Sequence, residues 1–153
     1  MLKYYNSMVV FEEIPNEVTL AINIANCPCK CPSCHSKFLW GDVGQELTES
    51  VLYGLVEENM GITCVAFMGG DSEPSYVAYL ASLLKGKYGN LKAAWYSGRD
   101  EVTEGMDISC LDYIKIGRYD EKCGPLNERT TNQVMYKVNN GKFEDITNLF
   151  WKK

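Results

Sequence analysis

Histidine is nearly absent: the chain carries one, His35, beside seven cysteines. A Ser-His-Asp relay or a histidine-rich metal site therefore has almost nothing to build on. No run of eighteen apolar residues occurs, so nothing reads as a membrane-spanning helix. The opening MLKYYNSMVVFEEIP also lacks the long apolar core of an export signal. Basic runs are missing too. Lys and Arg number 15 against 20 Asp and Glu, and a net charge of −5 supplies no cationic footprint for nucleic acid held by its phosphates. There is no G-x4-G-K-[ST] loop for a nucleoside triphosphate, no internal repeat, no low-complexity segment and no linker. Five prolines and thirteen glycines are too few for a collagen-like chain. What remains is one folded domain over residues 1–153, 46% hydrophobic and 23% charged, expected to be soluble and cytoplasmic with no membrane or nucleic-acid partner.

The cysteines are the unusual feature. Four crowd into Cys27-Pro28-Cys29-Lys30-Cys31-Pro32-Ser33-Cys34, while Cys64, Cys110 and Cys123 are scattered. A secreted disulfide scaffold would spread an even number along the chain to staple distant segments. An odd total with a tight cluster and no export signal reads instead as thiolate ligands. Cys64, inside an apolar run, reads as a small buried hydrophobe.

Hydrophobic periodicity sets the frame. Glu17 to Ile24 alternates for most of its length, as a strand does, and runs directly into the cysteine cluster. From Thr48, a suitable N-cap, Val51, Leu52, Leu55 and Val56 fall at helical spacing, and Gly61 ends that segment. Ile62 to Met68 is the continuous apolar run of a doubly buried strand, closed by Gly69-Gly70-Asp71-Ser72-Glu73-Pro74. A helix follows from Pro74, with Val77, Leu80, Ala81 and Leu84 at helical spacing and Lys85 and Lys87 at its end. Leu91 to Tyr96 and Asp112 to Ile116 read as further strands. Gln133–Val138 and Phe143–Phe150 read as a terminal pair around Asn139-Asn140-Gly141. Arg118 to Asn132 is long, polar and irregular, and is expected to be a functional surface rather than core. Strands alternating with helices predict α/β architecture with a mostly parallel sheet. A complete α/β barrel takes about 250 residues, so this chain is expected to build a partial (β/α) barrel, open on one side.

Cys27, Cys31 and Cys34 are spaced C-x3-C-x2-C. Three thiolates can hold one corner of a [4Fe–4S] cluster, which normally takes four cysteines, and so leave one iron open. The alternative is zinc, with His35 or a remote residue as fourth ligand. Zinc sites more often pair two C-x2-C motifs, and His35 adjoins Cys34, so the two would not readily face one ion. Cys29-x-Cys31-x2-Cys34 is a second conceivable triad. Gly69-Gly70-Asp71 after a buried strand allows close approach of backbone to a ligand. The cysteine loop, Gly69–Asp71, Tyr96-Ser97-Gly98 and Gly117-Arg118 all follow predicted strands, so they converge on the rim where α/β sheets bind ligands.

The triad followed one β-α unit later by the glycine pair and an acid resembles the radical S-adenosylmethionine (SAM) superfamily. Within it, Cys31-Pro32-Ser33-Cys34-His35-Ser36 with Trp40, Phe67-Met68-Gly69-Gly70-Asp71, Trp95-Tyr96-Ser97-Gly98 and Gly124-Pro125-Leu126 leading to Thr131-Asn132-Gln133 are similar to the activating proteins of anaerobic ribonucleoside-triphosphate reductases. The likeness extends from Thr19 to about Val138. It implies a partial barrel of the radical SAM type whose [4Fe–4S] cluster, on Cys27, Cys31 and Cys34, binds SAM at the open iron. Ser33, Cys34 and His35 would lie against SAM, and Gly69, Gly70 and Asp71 or Glu73 would hold its methionine end. Tyr96, Ser97 and Lys115 would complete the contacts. An electron from a flavodoxin- or ferredoxin-like donor would cleave SAM to a 5′-deoxyadenosyl radical, which takes a hydrogen from a glycine of the reductase. A radical SAM enzyme with a small-molecule substrate and a non-catalytic zinc module are the alternatives. Asn26 stands where the family commonly has glycine, and Asp71-Ser72-Glu73-Pro74 is one residue longer than the commoner Gly-Gly-Glu-Pro arrangement.

Overall fold

A computed structural model describes residues 2–29, 37–104 and 106–151, the side chains of Lys37 and Phe38 excepted. Eight strands occur in it: β1 (Lys3–Val10), β2 (Thr19–Ile24), β3 (Gln45–Glu46), β4 (Cys64–Met68), β5 (Lys92–Tyr96), β6 (Tyr113–Ile116), β7 (Val134–Asn139) and β8 (Lys142–Asp145). The two α-helices are α1 (Glu49–Glu57) and α2 (Pro74–Lys87). All strands join one sheet in the order β3-β1-β2-β4-β5-β6-β7-β8.

This corrects the expected partial (β/α) barrel. Only β2–β4, β4–β5 and β5–β6 pair in parallel. The pairings of β1 with β2 and β3, of β6 with β7 and of β7 with β8 are antiparallel. The result is a small mixed sheet, rich in strand, rather than a helix-rich barrel. The cause lies in the connections. Helices fill the crossovers from β2 to β4 and from β4 to β5, where the sequence carries apolar stripes. Between β5 and β6, and again between β6 and β7, the described residues form turns and bends without a helix. A barrel needs a helix on every crossover to surround it.

Local chemistry explains the elements that do form. The Thr48 hydroxyl accepts the Val51 N–H at 3.2 Å, capping α1. Pro74 opens α2, and Lys85 and Lys87 lie in its last turn, where cations suit the helix dipole. Asn140 and Gly141, both in the left-handed region at φ 52° and 77°, form the two-residue turn between β7 and β8. β1 has no clean alternation because its register shifts between Tyr4 and Asn6, which moves later side chains to the opposite face.

The sheet has two unlike faces. On one, Leu20, Ile22, Val65, Phe67, Trp95 and Ile114 pack with helical residues such as Leu52, Val56, Leu80 and Leu84. Burying each aliphatic side chain contributes about 1.5–3 kcal/mol. On the other, Cys64, Ala66, Ala94, Tyr113 and Met135 are covered by Ile14 and Ile146, from connecting segments.

Where the four parallel strands begin, Glu17 is buried and serves three of them. Its carboxylate accepts from the Lys92 ammonium at 2.6 Å, the Thr63 hydroxyl at 2.5 Å and the Tyr113 hydroxyl at 3.4 Å. The hydrogen bond that Lys92 donates to Glu17 is the main cause that raises the Lys92 pKa above 10.5. A raised folded-state pKa means that the pair's contribution is complete below pH 10.5 and fades as pH climbs through the higher folded value. Glu17→Gln is expected to cost about 1–3 kcal/mol in urea denaturation near neutral pH. The gap between the two proteins should narrow in alkali as Lys92 deprotonates.

Candidate functional site

Parallel pairing fixes where the loops meet. Asn23 lies opposite Met68, Met68 opposite Tyr96, and Tyr96 opposite Lys115. The segments that follow β2, β4, β5 and β6 therefore emerge on one edge of the sheet, as the sequence predicted. Of the expected ligands, Cys27, Gly69, Gly70, Asp71, Glu73, Tyr96, Ser97 and Lys115 are described. Cys31, Ser33, Cys34 and His35 lie outside the described residues.

The cysteine segment is anchored at its start. Asn26 N–H donates to the Gly41 carbonyl at 3.1 Å and Cys27 N–H to the Leu39 carbonyl at 2.9 Å. Asn26 sits at φ 59°, the left-handed region that glycine enters freely and asparagine tolerates best among the other residues. Cys27 is half-buried and free of disulfides, three residues beyond the end of β2.

Asp71 gathers the loops. Its buried carboxylate accepts from the Ser97 hydroxyl at 2.5 Å, the Gly98 N–H at 2.8 Å and the Cys29 thiol at 3.5 Å. Three neutral donors from two other segments thus converge on one side chain. Burial, reinforced by the charges of Asp71 and Cys27, pushes the Cys29 thiol up to about 12, so Cys29 donates as a neutral S–H. Gly98 packs closely on the cysteine segment: a Cβ there would stand 3.0 Å from the Cys29 sulfur, which would have to give way by a few tenths of an ångström.

The glycine turn is held from inside. Gly69 and Gly70 have φ 117° and 99°, and a Cβ on Gly70 would meet Val77 at 2.5 Å. The Trp95 indole N–H donates to the Gly69 carbonyl at 2.7 Å, and the Glu73 N–H donates to that of Gly70 at 3.0 Å. Glu73 itself is half-buried at the head of α2, while Asp71 points at internal donors. Lys115 is buried beneath the rim, its ammonium 3.1 Å from the Gly117 carbonyl and 5.6 Å from the Tyr96 ring centroid. The Tyr96 hydroxyl donates to the Glu13 carbonyl, and burial raises its pKa far above the ordinary tyrosine range. Beside Tyr96 a cleft of about 900 Å3 opens between residues 11–16, residues 125–127 and Leu149–Phe150. Leu126 in its wall belongs to the irregular segment expected to be a functional surface.

Sequence reasoning missed two members of this arrangement. Cys29 entered only as part of a second conceivable ligand triad, and Trp95 only as the first residue of the Trp95-Tyr96-Ser97-Gly98 motif. Their partners are 42 and 26 positions away, and nothing local in the chain signals such pairings.

Asp71→Ala would leave the Ser97 hydroxyl and the Gly98 N–H buried without an acceptor. The expected loss is about 2–4 kcal/mol, read by chemical denaturation. Asp71→Asn keeps an acceptor oxygen and should lose less.

Comparison of the chain with protein-family models, with curated proteins and with solved structures found no match, so its assignment rests on the residues and geometry described above.

Proposed function

We propose that the chain is an iron–sulfur, SAM-dependent activase that generates a glycyl radical on anaerobic ribonucleoside-triphosphate reductase. One observation carries this reading. The segment holding the C-x3-C-x2-C triad is tied through Cys29 and Asp71 to the two turns that follow β4 and β5. A cofactor gripped by the triad would therefore sit beside the Gly69–Gly70 turn rather than apart from it. The donor chemistry fits as well. Cys27 offers a soft sulfur ligand at the rim, whereas the Cys29 thiol is committed to Asp71.

In this reading Cys27, Cys31 and Cys34 would hold the [4Fe–4S] cluster, and Ser33, Cys34 and His35 would lie against SAM. When bound, the two cofactors supply an electron and a cleavable sulfonium, the source of a 5′-deoxyadenosyl radical. The chain's own residues position and shield. Trp95 and Glu73 fix the Gly69 and Gly70 carbonyls, and the absence of a Cβ lets that backbone approach the methionine end. With Asp71 occupied by internal donors, Glu73 is the acid assigned to the SAM ammonium, and Lys115 supplies positive charge for its carboxylate. Tyr96 lines the cleft beside the rim, and the cleft has room for a reductase segment bearing the target glycine. No helix among the described residues is long and apolar enough to cross a membrane. The expected setting is the cytoplasm, with a flavodoxin- or ferredoxin-like electron donor.

Anaerobic reconstitution with iron and sulfide should yield brown protein with about four irons per chain. Addition of reductant, SAM and the reductase should give the doublet resonance of a glycine-centred radical. A colourless protein holding one zinc would overturn the assignment. Deoxyadenosine released without a glycyl radical would point to a small-molecule substrate instead. Cys27→Ala, Cys31→Ala and Cys34→Ala should each drop bound iron below one per chain, and Cys29→Ala should retain it, as read by iron analysis and visible absorbance.

A further inference from the structure

The cleft beside Tyr96 is walled chiefly by three kinds of side chain. Phe11, Leu126, Leu149 and Phe150 are apolar, and Phe11 and Leu149 are 69% and 57% exposed, so apolar surface stays open to water there. Asn16, Asn127 and Gln133 bring carboxamides, each with donors and an acceptor. Glu12 and Glu13 bring carboxylates, and the lining holds no lysine or arginine. Neither acid forms an ion pair with a described residue. The cations on neighbouring segments are engaged elsewhere. The Arg129 guanidinium lies 5.1 Å from the centroid of the Trp151 ring, and the Lys115 ammonium donates to the Gly117 carbonyl at 3.1 Å. The charge of Glu13 is felt at Tyr96, where it adds to the burial that raises the phenol pKa.

We infer that this cleft takes an extended peptide segment carrying a lysine or arginine close to the target glycine, with the cation meeting Glu12 and Glu13. The inference rests on the activase reading and names the feature of the protein substrate that the same cleft selects. A peptide supplies a counterpart for each wall: backbone N–H and C=O groups for the carboxamides, apolar side chains for Phe11 and Leu149, and a positive charge for the acids. A purely apolar occupant would bury two carboxylates without partners, and a small amine or metal ion would leave the apolar wall wet. Position follows from Tyr96. Its hydroxyl donates to the Glu13 carbonyl, so the acids stand one tyrosine side chain from the end of β5. That reach matches about two residues of extended chain, so the cation belongs within a few residues of a glycine held at the rim.

Fluorescence anisotropy of the full chain with rhodamine-labelled Ala-Arg-Leu-Gly-Leu-Ala, and with the same peptide bearing Glu in place of Arg, tests the selection. The Arg peptide should bind about tenfold tighter or more, and its advantage should shrink as salt rises from about 0.05 to 0.5 M. Glu12→Gln with Glu13→Gln should bring the two peptides within about twofold, and Glu12→Lys with Glu13→Lys should reverse their order. Circular dichroism checks that these variants fold. Equal or absent binding by the unsubstituted chain overturns the inference, as does a preference that survives both pairs of substitutions. A preference that emerges only after removal of Lys152 and Lys153 also overturns it, and would name the chain's own basic end as the occupant. Radical formation separates this inference from the activase reading. An unchanged KM for the reductase in the Glu12→Gln, Glu13→Gln chain overturns the inference and leaves the activase standing. Selective Arg binding by an iron-loaded chain that forms no glycyl radical upholds the cleft's preference and removes the activase.

Discussion

One buried carboxylate organises the loops at one edge of this protein's sheet. Asp71 accepts a hydroxyl, a backbone amide and a thiol, and these come from the turn after β5 and from the cysteine segment. None of these donors is charged, so the side chain works as a junction rather than as half of an ion pair. A buried acceptor with all its partners present narrows the geometry of everything attached to it, because moving any loop leaves a polar atom unpaired. The positions of Cys29, Ser97 and Gly98 relative to the glycine turn follow from that constraint. Trp95 adds a second tie from the sheet interior to Gly69. The rim is therefore set by side chains that need not touch a ligand, and this is the usual way in which a site is held ready.

Glu17 does comparable work where the parallel strands begin, with a difference in chemistry. It is paired with a lysine that remains partly in water, and with two hydroxyls from neighbouring segments. The two acids bracket the parallel block, one beneath it and one above. Between them the ladder from β2 to β6 is almost wholly apolar, so these strand ends are where polar chemistry can fix the register.

Much of this was legible in the sequence. The apolar run ending in Gly69-Gly70 gave β4 and the turn after it, Thr48 and Pro74 marked the helix starts, and Asn140-Gly141 marked the hairpin. Each of these signals is local: a period, a cap or a left-handed turn. The overall architecture was misjudged because two connections without helices were read as parts of a barrel. Strand β1 escaped notice because a register shift breaks its alternation. The Asp71 junction could not have been read either. Asp71 looked like a ligand of the methionine end, yet its three donors lie 26, 27 and 42 positions away. Only folding brings such partners together, and no periodicity encodes them.

The mixed sheet separates two tasks that a barrel would merge. The four parallel strands, joined by the α1 and α2 crossovers, gather their following loops on one edge, which is what a ligand needs. The antiparallel strands on either side contribute little to that edge and instead finish the sheet laterally, β7 and β8 on one side and β1 and β3 on the other. A substitution on β1 at Met8 or Val9 lies beyond the Asp71 junction and touches none of its donors, whereas a change at Gly98 disturbs Cys29 at once. The rim and the lateral edges can therefore vary separately, and the proposed chemistry depends on the loops of a four-strand parallel block rather than on a closed ring of helices.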